Sequence, residues 1–68
     1  MFNRNKFKAT VLLNGASMQY VADIMGISLA TLYRKMNGES DFTRNEIQMY
    51  RKAFNLTSEE CDAIFFED

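Results

Sequence analysis

The stretch SMQYVADIMGISLATLYRKMNG, residues 17–38, decides the fold, because it predicts two short helices joined by a tight turn. Ala22 is small, which allows two helices to cross closely, and Gly26 follows four residues later to supply the turn. Ile27 is apolar and can fill the space between the helices. This order of a small residue, a glycine and an apolar residue is typical of the helix-turn-helix.

Each of these two helices has a capping residue at its start and apolar residues directed at a core. Ser17 and Ser28 are predicted N-caps, because a serine hydroxyl accepts a hydrogen bond from a free backbone N–H of the first turn. We expect the helices to run to Met25 and to about Asn37, with Gly38 closing the second. The residues expected to anchor them to the core are Val21, Met25, Leu32 and Met36.

The segment before this unit predicts one more helix, and no part of the chain predicts a strand. Phe7 and Val11 lie four residues apart, which places them on one face of a helix from about Asn3 to Asn14. Gly15 is the expected stop for that helix. Proline is absent, and no run alternates apolar and polar residues for long. The chain is therefore predicted to be all-α.

Two capping boxes mark the starts of a fourth and a fifth helix. Thr43 is followed three residues later by Glu46, and Thr57 is followed in the same way by Glu60. Apolar residues flank both boxes at staple positions: Phe42 and Ile47, Leu56 and Cys61. The core-facing residues expected in these helices are Ile47, Tyr50, Phe54, Cys61, Ile64 and Phe65. We predict one domain, residues 1–68, folded as a compact five-helix bundle.

Composition excludes most other classes of protein. The chain has 68 residues, too few for a second domain, and its 47% hydrophobic content is typical of a globular protein. Histidine is absent and Cys61 is the single cysteine, which excludes an internal disulfide and a cysteine-rich zinc site. We expect no enzyme, no metal and no cofactor. No apolar run is long enough for a membrane span or a signal peptide, so we expect a cytoplasmic protein.

The charges are unevenly distributed, although they nearly cancel. The net charge of -1 by itself argues against binding to nucleic acid. Residues 1–35, however, contain five lysine and arginine residues against one aspartate, a net charge of +4, whereas residues 36–68 contain three against eight acids, a net charge of -5. Such a dipole allows one face to approach phosphate groups while the acidic end points away.

On these residues the chain resembles the Cro/CI-type, or XRE-like, family of phage and bacterial repressors. The resemblance rests on VADIMGIS at 21–28 and TLYRKMNG at 31–38, with one helix before them and two after, and it covers nearly the whole chain. Residues 36–66, MNGESDFTRNEIQMYRKAFNLTSEECDAIFF, are similar to small phage regulators of this group. The resemblance implies a lambda repressor-like DNA-binding domain that binds double-stranded operator DNA, usually as a homodimer.

The resemblance makes residues 28–37 the recognition helix, and helical geometry then selects the side chains that face DNA. If Leu32 points into the core, steps of about 100° per residue direct Arg34 to the opposite side. The candidate base contacts are Leu29, Ala30, Tyr33, Arg34 and Asn37. Arg34 is the strongest of them, because a guanidinium can bind guanine through two parallel hydrogen bonds.

Phosphate contacts are expected mainly at the starts of the second and fourth helices. There, free backbone N–H groups and the positive end of the helix dipole attract anions. The candidate phosphate contacts are Ser17, Gln19, Thr31, Lys35, Arg44 and Asn45.

Two departures from the family pattern leave a second function open. Met18 stands where the family usually has a glutamine that binds phosphate, and Gln19 points about 100° away around the helix. Glu39 and Asp41 lie in a loop where family members often have basic residues. Both departures predict modest, salt-sensitive affinity for DNA. The alternative is an antirepressor or other protein-interaction module on the same fold, which binds a partner repressor protein.

The C-terminal segment Ala63–Phe66 contains more apolar surface than one helix face can bury. If Ile64 and Phe65 face the core, Phe66 lies about 100° from Phe65 and is exposed beside Ala63. Exposed apolar patches often mark interfaces, so we expect a homodimer through this end of the molecule. The alternative is that Phe66 folds back onto its own core.

Overall fold

Five α-helices follow one another along the chain, and no strand occurs within residues 1–67, which the computed structural model describes. The helices are α1 (Arg4–Leu13), α2 (Met18–Met25), α3 (Leu29–Met36), α4 (Arg44–Ala53) and α5 (Ser58–Phe65). The predicted all-α, five-helix bundle is confirmed. In the part of the chain that the structure covers, none of the helices has the length and apolar character needed to cross a membrane.

A polar side chain caps the start of every helix. The side chains of Asn3, Ser17, Ser28, Thr43 and Thr57 each accept a hydrogen bond from the backbone N–H three residues later. Both predicted capping boxes are complete, because the carboxylates of Glu46 and Glu60 accept from the N–H groups of Thr43 and Thr57 at 2.8 Å. Each cap contributes about 1 kcal/mol to stability, which matters in a chain of 68 residues.

The turn between α2 and α3 has the predicted helix-turn-helix geometry. Gly26 adopts a φ of +73°, a left-handed conformation that costs glycine little. The N–H of Ile27 donates to the carbonyl of Ala22 at 3.0 Å and closes the turn. Ala22 is fully buried, and the half-buried Ile27 packs against the core. Gly26 and Ile27 therefore turn the chain and fill the gap as expected.

An aromatic cluster holds the first and last helices on α4. Phe7 stacks on Tyr50 with ring centroids 4.4 Å apart, and Phe65 meets both rings edge-on. The Tyr50 hydroxyl donates a hydrogen bond to the carbonyl of Phe7 at 2.9 Å. Burial raises the pKa of Tyr50 well above its ordinary value. The N–H of Asn3 donates to the carbonyl of Ile64 at 2.6 Å, which ties the start of α1 to the end of α5.

One core position predicted in α4 is wrong. Ile47 is only half-buried at the edge of the core, whereas its neighbour Glu46 is buried. Glu46 turns back to accept the Thr43 N–H and at the same time meets the ammonium of Lys35, so its charge is paired. The other predicted core residues of α4 and α5 are buried: Tyr50, Phe54, Cys61, Ile64 and Phe65.

Candidate nucleic-acid interface

Helix α3 presents a polar outer face above an apolar inner face. Leu32 and Met36 are buried, as predicted. The exposed residues of this helix and its C-cap are Ala30, Tyr33, Arg34 and Asn37. Helix α3 therefore has its apolar side inward as predicted, and four of its five candidate base contacts are exposed.

Arg34 and Tyr33 are two exposed polar side chains of this face. Neither of them makes a side-chain hydrogen bond or an ion pair to another group within residues 1–67. Tyr33 is 38% exposed and Arg34 lies in the last turn of α3. A guanidinium without an internal partner can form a bidentate contact with a base edge without first breaking an internal hydrogen bond or ion pair.

The first turn of α3 is more enclosed than the last. Leu29 is half-buried and packs against the core, so only part of its side chain can reach a ligand. Thr31 is also half-buried, and its hydroxyl lies 2.9 Å from the capping hydroxyl of Ser28. Ala30 is exposed between them, where its methyl group can meet an apolar edge such as a thymine methyl.

Lys35, a candidate phosphate contact, is directed inward, where its ammonium is already paired. Its Nζ lies 3.0 Å from Oε1 of Glu46 and donates a hydrogen bond to the carbonyl of Asp41 at 2.9 Å. The side chains of Lys35 and Glu46 are only 10% and 8% exposed. The sequence offered no direct signal for this pair, because the two residues belong to different helices separated by a loop.

The N-terminus of α2 offers few polar side chains, as the sequence suggested. Ser17 is exposed and caps the helix, while Met18 is half-buried against the core and offers no polar group. The amide of Gln19 is exposed but donates to the carboxylate of Asp23 at 2.9 Å. The backbone N–H groups and the hydroxyl of Ser17 are therefore the groups that this end of α2 offers to a phosphate.

The N-terminus of α4 offers one exposed cation, Arg44, in its first turn. Arg44 and Asn45 are both exposed, and Thr43 caps the helix beside them. An exposed arginine next to free backbone N–H groups is a combination suited to a phosphate oxygen. Glu39 and Asp41, in the loop just before α4, are also exposed. Their negative charges reduce the positive electrostatic potential around Arg44.

The C-terminal end of α5 exposes Phe66, as the sequence predicted. Phe66 is 60% exposed and does not fold back into the core. It lines a surface groove with Phe42, Ile47 and Gln48, next to Arg44. Ala63, which the sequence placed beside Phe66, is half-buried and lines another groove. The apolar residues that share the groove of Phe66 are Phe42, which precedes α4, and Ile47 of α4.

Sequence reasoning did not identify the exposed leucines at the end of α1. Leu12 and Leu13 are 76% and 86% exposed, so they are not part of the core. Only the helical phase set by Phe7 and Val11 could have shown that both point away from it.

Comparison with protein families identifies the type of domain. The family described as BetR domain matches residues 4–63, which include all of α1 to α4 and most of α5. BetR domains are helix-turn-helix-like, DNA-binding and non-catalytic domains of phage and bacterial regulators. Comparisons with curated proteins and with solved structures give no match.

Proposed function

Because the chain belongs to the BetR domain family, whose domains bind DNA, we propose that it is a sequence-specific transcriptional regulator of the Cro/repressor type that binds operator DNA through α3. The observation that supports this most directly is the outer face of α3. Tyr33 and Arg34 are exposed there without internal partners among residues 1–67, while Leu32 on the opposite side is buried.

In this proposal each exposed residue of α3 makes a different contact with the DNA. Arg34 binds a guanine edge, and Tyr33 and Asn37 contact bases or the adjacent backbone. Ala30 and the exposed part of Leu29 contact a thymine methyl. The major groove admits one helix at a time, so these contacts require α3 to lie along the groove with its buried face turned away.

Phosphate contacts at two helix ends hold α3 in place. Ser17 and the first N–H groups of α2 contact one phosphate, and Arg44 with Asn45 at the start of α4 contact another. Gln19 and Thr31 are further candidates at the edge of this surface. Such contacts fix orientation without reading sequence, and they make the affinity dependent on salt.

The proposed regulator acts as a homodimer that occupies an operator and thereby excludes polymerase or a competing repressor. Its expected interface is the surface groove of Phe66, Phe42 and Ile47, which is apolar and lies beside the first turn of α4. A two-fold axis near this groove would place two α3 helices about one DNA turn apart, roughly 34 Å.

The test is enrichment of binding sites from a random-sequence duplex library with the purified protein. We expect a pseudo-palindromic site to be enriched and to bind far more tightly than unselected duplex, with affinity that falls as salt rises. If no sequence is enriched and binding to duplex DNA is undetectable at low salt, the proposal of a sequence-specific DNA-binding regulator is wrong.

A second candidate function is an antirepressor-like module that binds a partner repressor protein. Two observations favour it: the exposed acidic residues Glu39 and Asp41, and the exposed leucines Leu12 and Leu13. For DNA binding, counterion release makes the logarithm of the binding constant fall linearly with the logarithm of the salt concentration. Binding to a protein partner need not show this dependence. Tight binding to a repressor protein together with an unenriched duplex library would favour this function over the first.

A further inference from the structure

A nearly buried ion pair connects the recognition helix to the start of α4. The ammonium of Lys35, in the last turn of α3, lies 3.0 Å from Oε1 of Glu46. The same carboxylate oxygen accepts the N–H of Thr43, the N-cap of α4, at 2.8 Å. The Lys35 ammonium also donates to the carbonyl of Asp41 in the intervening loop at 2.9 Å. Three segments of the chain thus meet at two charged groups.

The two helices joined by this pair rest mainly on other elements. Helix α3 packs against α2, while α4 packs against α2 and α5. The Lys35–Glu46 pair supplies a direct polar connection between α3 and α4. Directional hydrogen bonds in a low-dielectric setting fix distances more sharply than apolar contacts do.

Stability alone is a weak explanation for such a pair. A buried ion pair costs desolvation energy that its attraction only partly offsets, and apolar replacements are often equally stable. Its best-attested use is to fix one arrangement among several. Here the arrangement concerns the two DNA-facing features, since Lys35 follows Arg34 directly and Glu46 lies two residues after Arg44.

We propose that the Lys35–Glu46 pair is a positioning device that fixes α3 relative to the N-terminus of α4, so that base contacts and phosphate contacts are made together. This inference rests on the proposed function in DNA binding. It assigns Lys35 a role in specificity without any contact between its ammonium and DNA. Loss of the pair should therefore weaken binding to the specific site while leaving sequence-independent binding unchanged.

The test uses the double variant Lys35→Met with Glu46→Gln. It removes both charges together, so no unpaired buried charge remains, and the glutamine carbonyl can still accept the Thr43 N–H. The matched control is Lys52→Met with Glu59→Gln, the same pair of changes at two exposed positions. Both proteins are titrated with the duplex enriched by the wild-type chain and with unselected duplex, over a range of salt concentrations.

We expect the double variant to bind the enriched duplex at least about tenfold more weakly, a loss comparable to that of one base contact. Its affinity for unselected duplex and its salt slope should equal those of the control. The single variant Glu46→Gln, which is nearly isosteric, should show a smaller loss in the same direction. Folding of the double variant is checked by helical circular dichroism. If it does not fold, the Glu46→Gln variant is used for the test instead.

Two results would overturn the inference. One is wild-type affinity for the enriched duplex in folded variants, since the pair would then have no positioning role. The other is a salt slope lower by about 0.9 in the double variant, which would make Lys35 a phosphate contact. Failure of the proposed function is distinguishable from both, because the wild-type chain would then enrich no duplex at all.

Discussion

Arg34→Ala is the most direct test of the recognition surface. The side chain is exposed in the last turn of α3, and no hydrogen bond or ion pair to it occurs within residues 1–67. Its removal should therefore change the free energy of unfolding by no more than about 0.5 kcal/mol. Any larger effect on DNA binding would then come from a lost contact with DNA rather than from damage to the fold.

The expected loss follows from the type of contact. A bidentate arginine–guanine contact contributes about 1–3 kcal/mol of discrimination. Binding to the enriched duplex should thus weaken about 5- to 150-fold, since about 1.4 kcal/mol corresponds to a factor of ten. Unselected duplex offers no aligned guanine, so affinity for it should change much less. A loss of affinity that is larger for the enriched duplex than for the unselected duplex would identify Arg34 as a base contact.

The assay is a fluorescence-anisotropy titration of both duplexes at several salt concentrations. Arg4→Ala is the matched control, because it removes the same charge from an exposed position at the start of α1. Equal losses on both duplexes, with a salt slope lower by about 0.9, would make Arg34 a phosphate contact. No loss on either duplex would refute the assignment of α3 as the recognition helix.

Three further predictions concern the core and the interface. Leu32→Ala should lower the free energy of unfolding by about 2–5 kcal/mol through a core cavity, whereas Thr43→Ala should cost about 1 kcal/mol; urea melts that reverse this order would contradict the assigned core. Burial raises the pKa of Tyr50 above its ordinary 10.0, so the stability conferred by the neutral hydroxyl is present below about pH 10 and is lost as pH rises further. In melts between about pH 9 and 11, the free energy of unfolding of Tyr50→Phe should depend less on pH than that of the wild-type chain, and an equal dependence would contradict this assignment. Phe66→Ala should weaken self-association and operator binding together in sedimentation and titration experiments, while the monomer stays folded; a wild-type chain that is monomeric at high concentration, both free and on DNA, would remove the dimer.

The helices and the turn were predictable because their signals are local. Three helix starts were predicted from their capping residues, Ser17, Thr43 and Thr57. In the structure each cap hydroxyl accepts a hydrogen bond from the backbone N–H three residues later. The turn was predicted from Gly26, because glycine adopts the left-handed conformation at little cost, and Gly26 has that conformation in the structure. Because the apolar residue Leu32 fixes the phase of α3, the exposed face of this helix was predictable as well.

The errors concern groups whose environment depends on distant parts of the chain. A glutamate in a capping box is ordinarily solvated, so the burial of Glu46 could not be read from the box itself. Its burial depends on Lys35, eleven positions earlier and across a loop. Phe66 was expected to be exposed, and it is, but the groove that it shares with Phe42 and Ile47 was not predicted. Neither arrangement follows from spacing along one helix.

The stacking of Phe7 on Tyr50 and its edge-on contact with Phe65 have a consequence for biosynthesis. The ribosome synthesises α1 first, but the aromatic partners of Phe7 belong to α4 and the end of α5. Until those helices emerge, Phe7 is an apolar side chain without its aromatic partners on the nascent chain. The aromatic cluster can therefore form only after α5 has left the ribosome, and until then Phe7 adds to the apolar surface that a chaperone could bind.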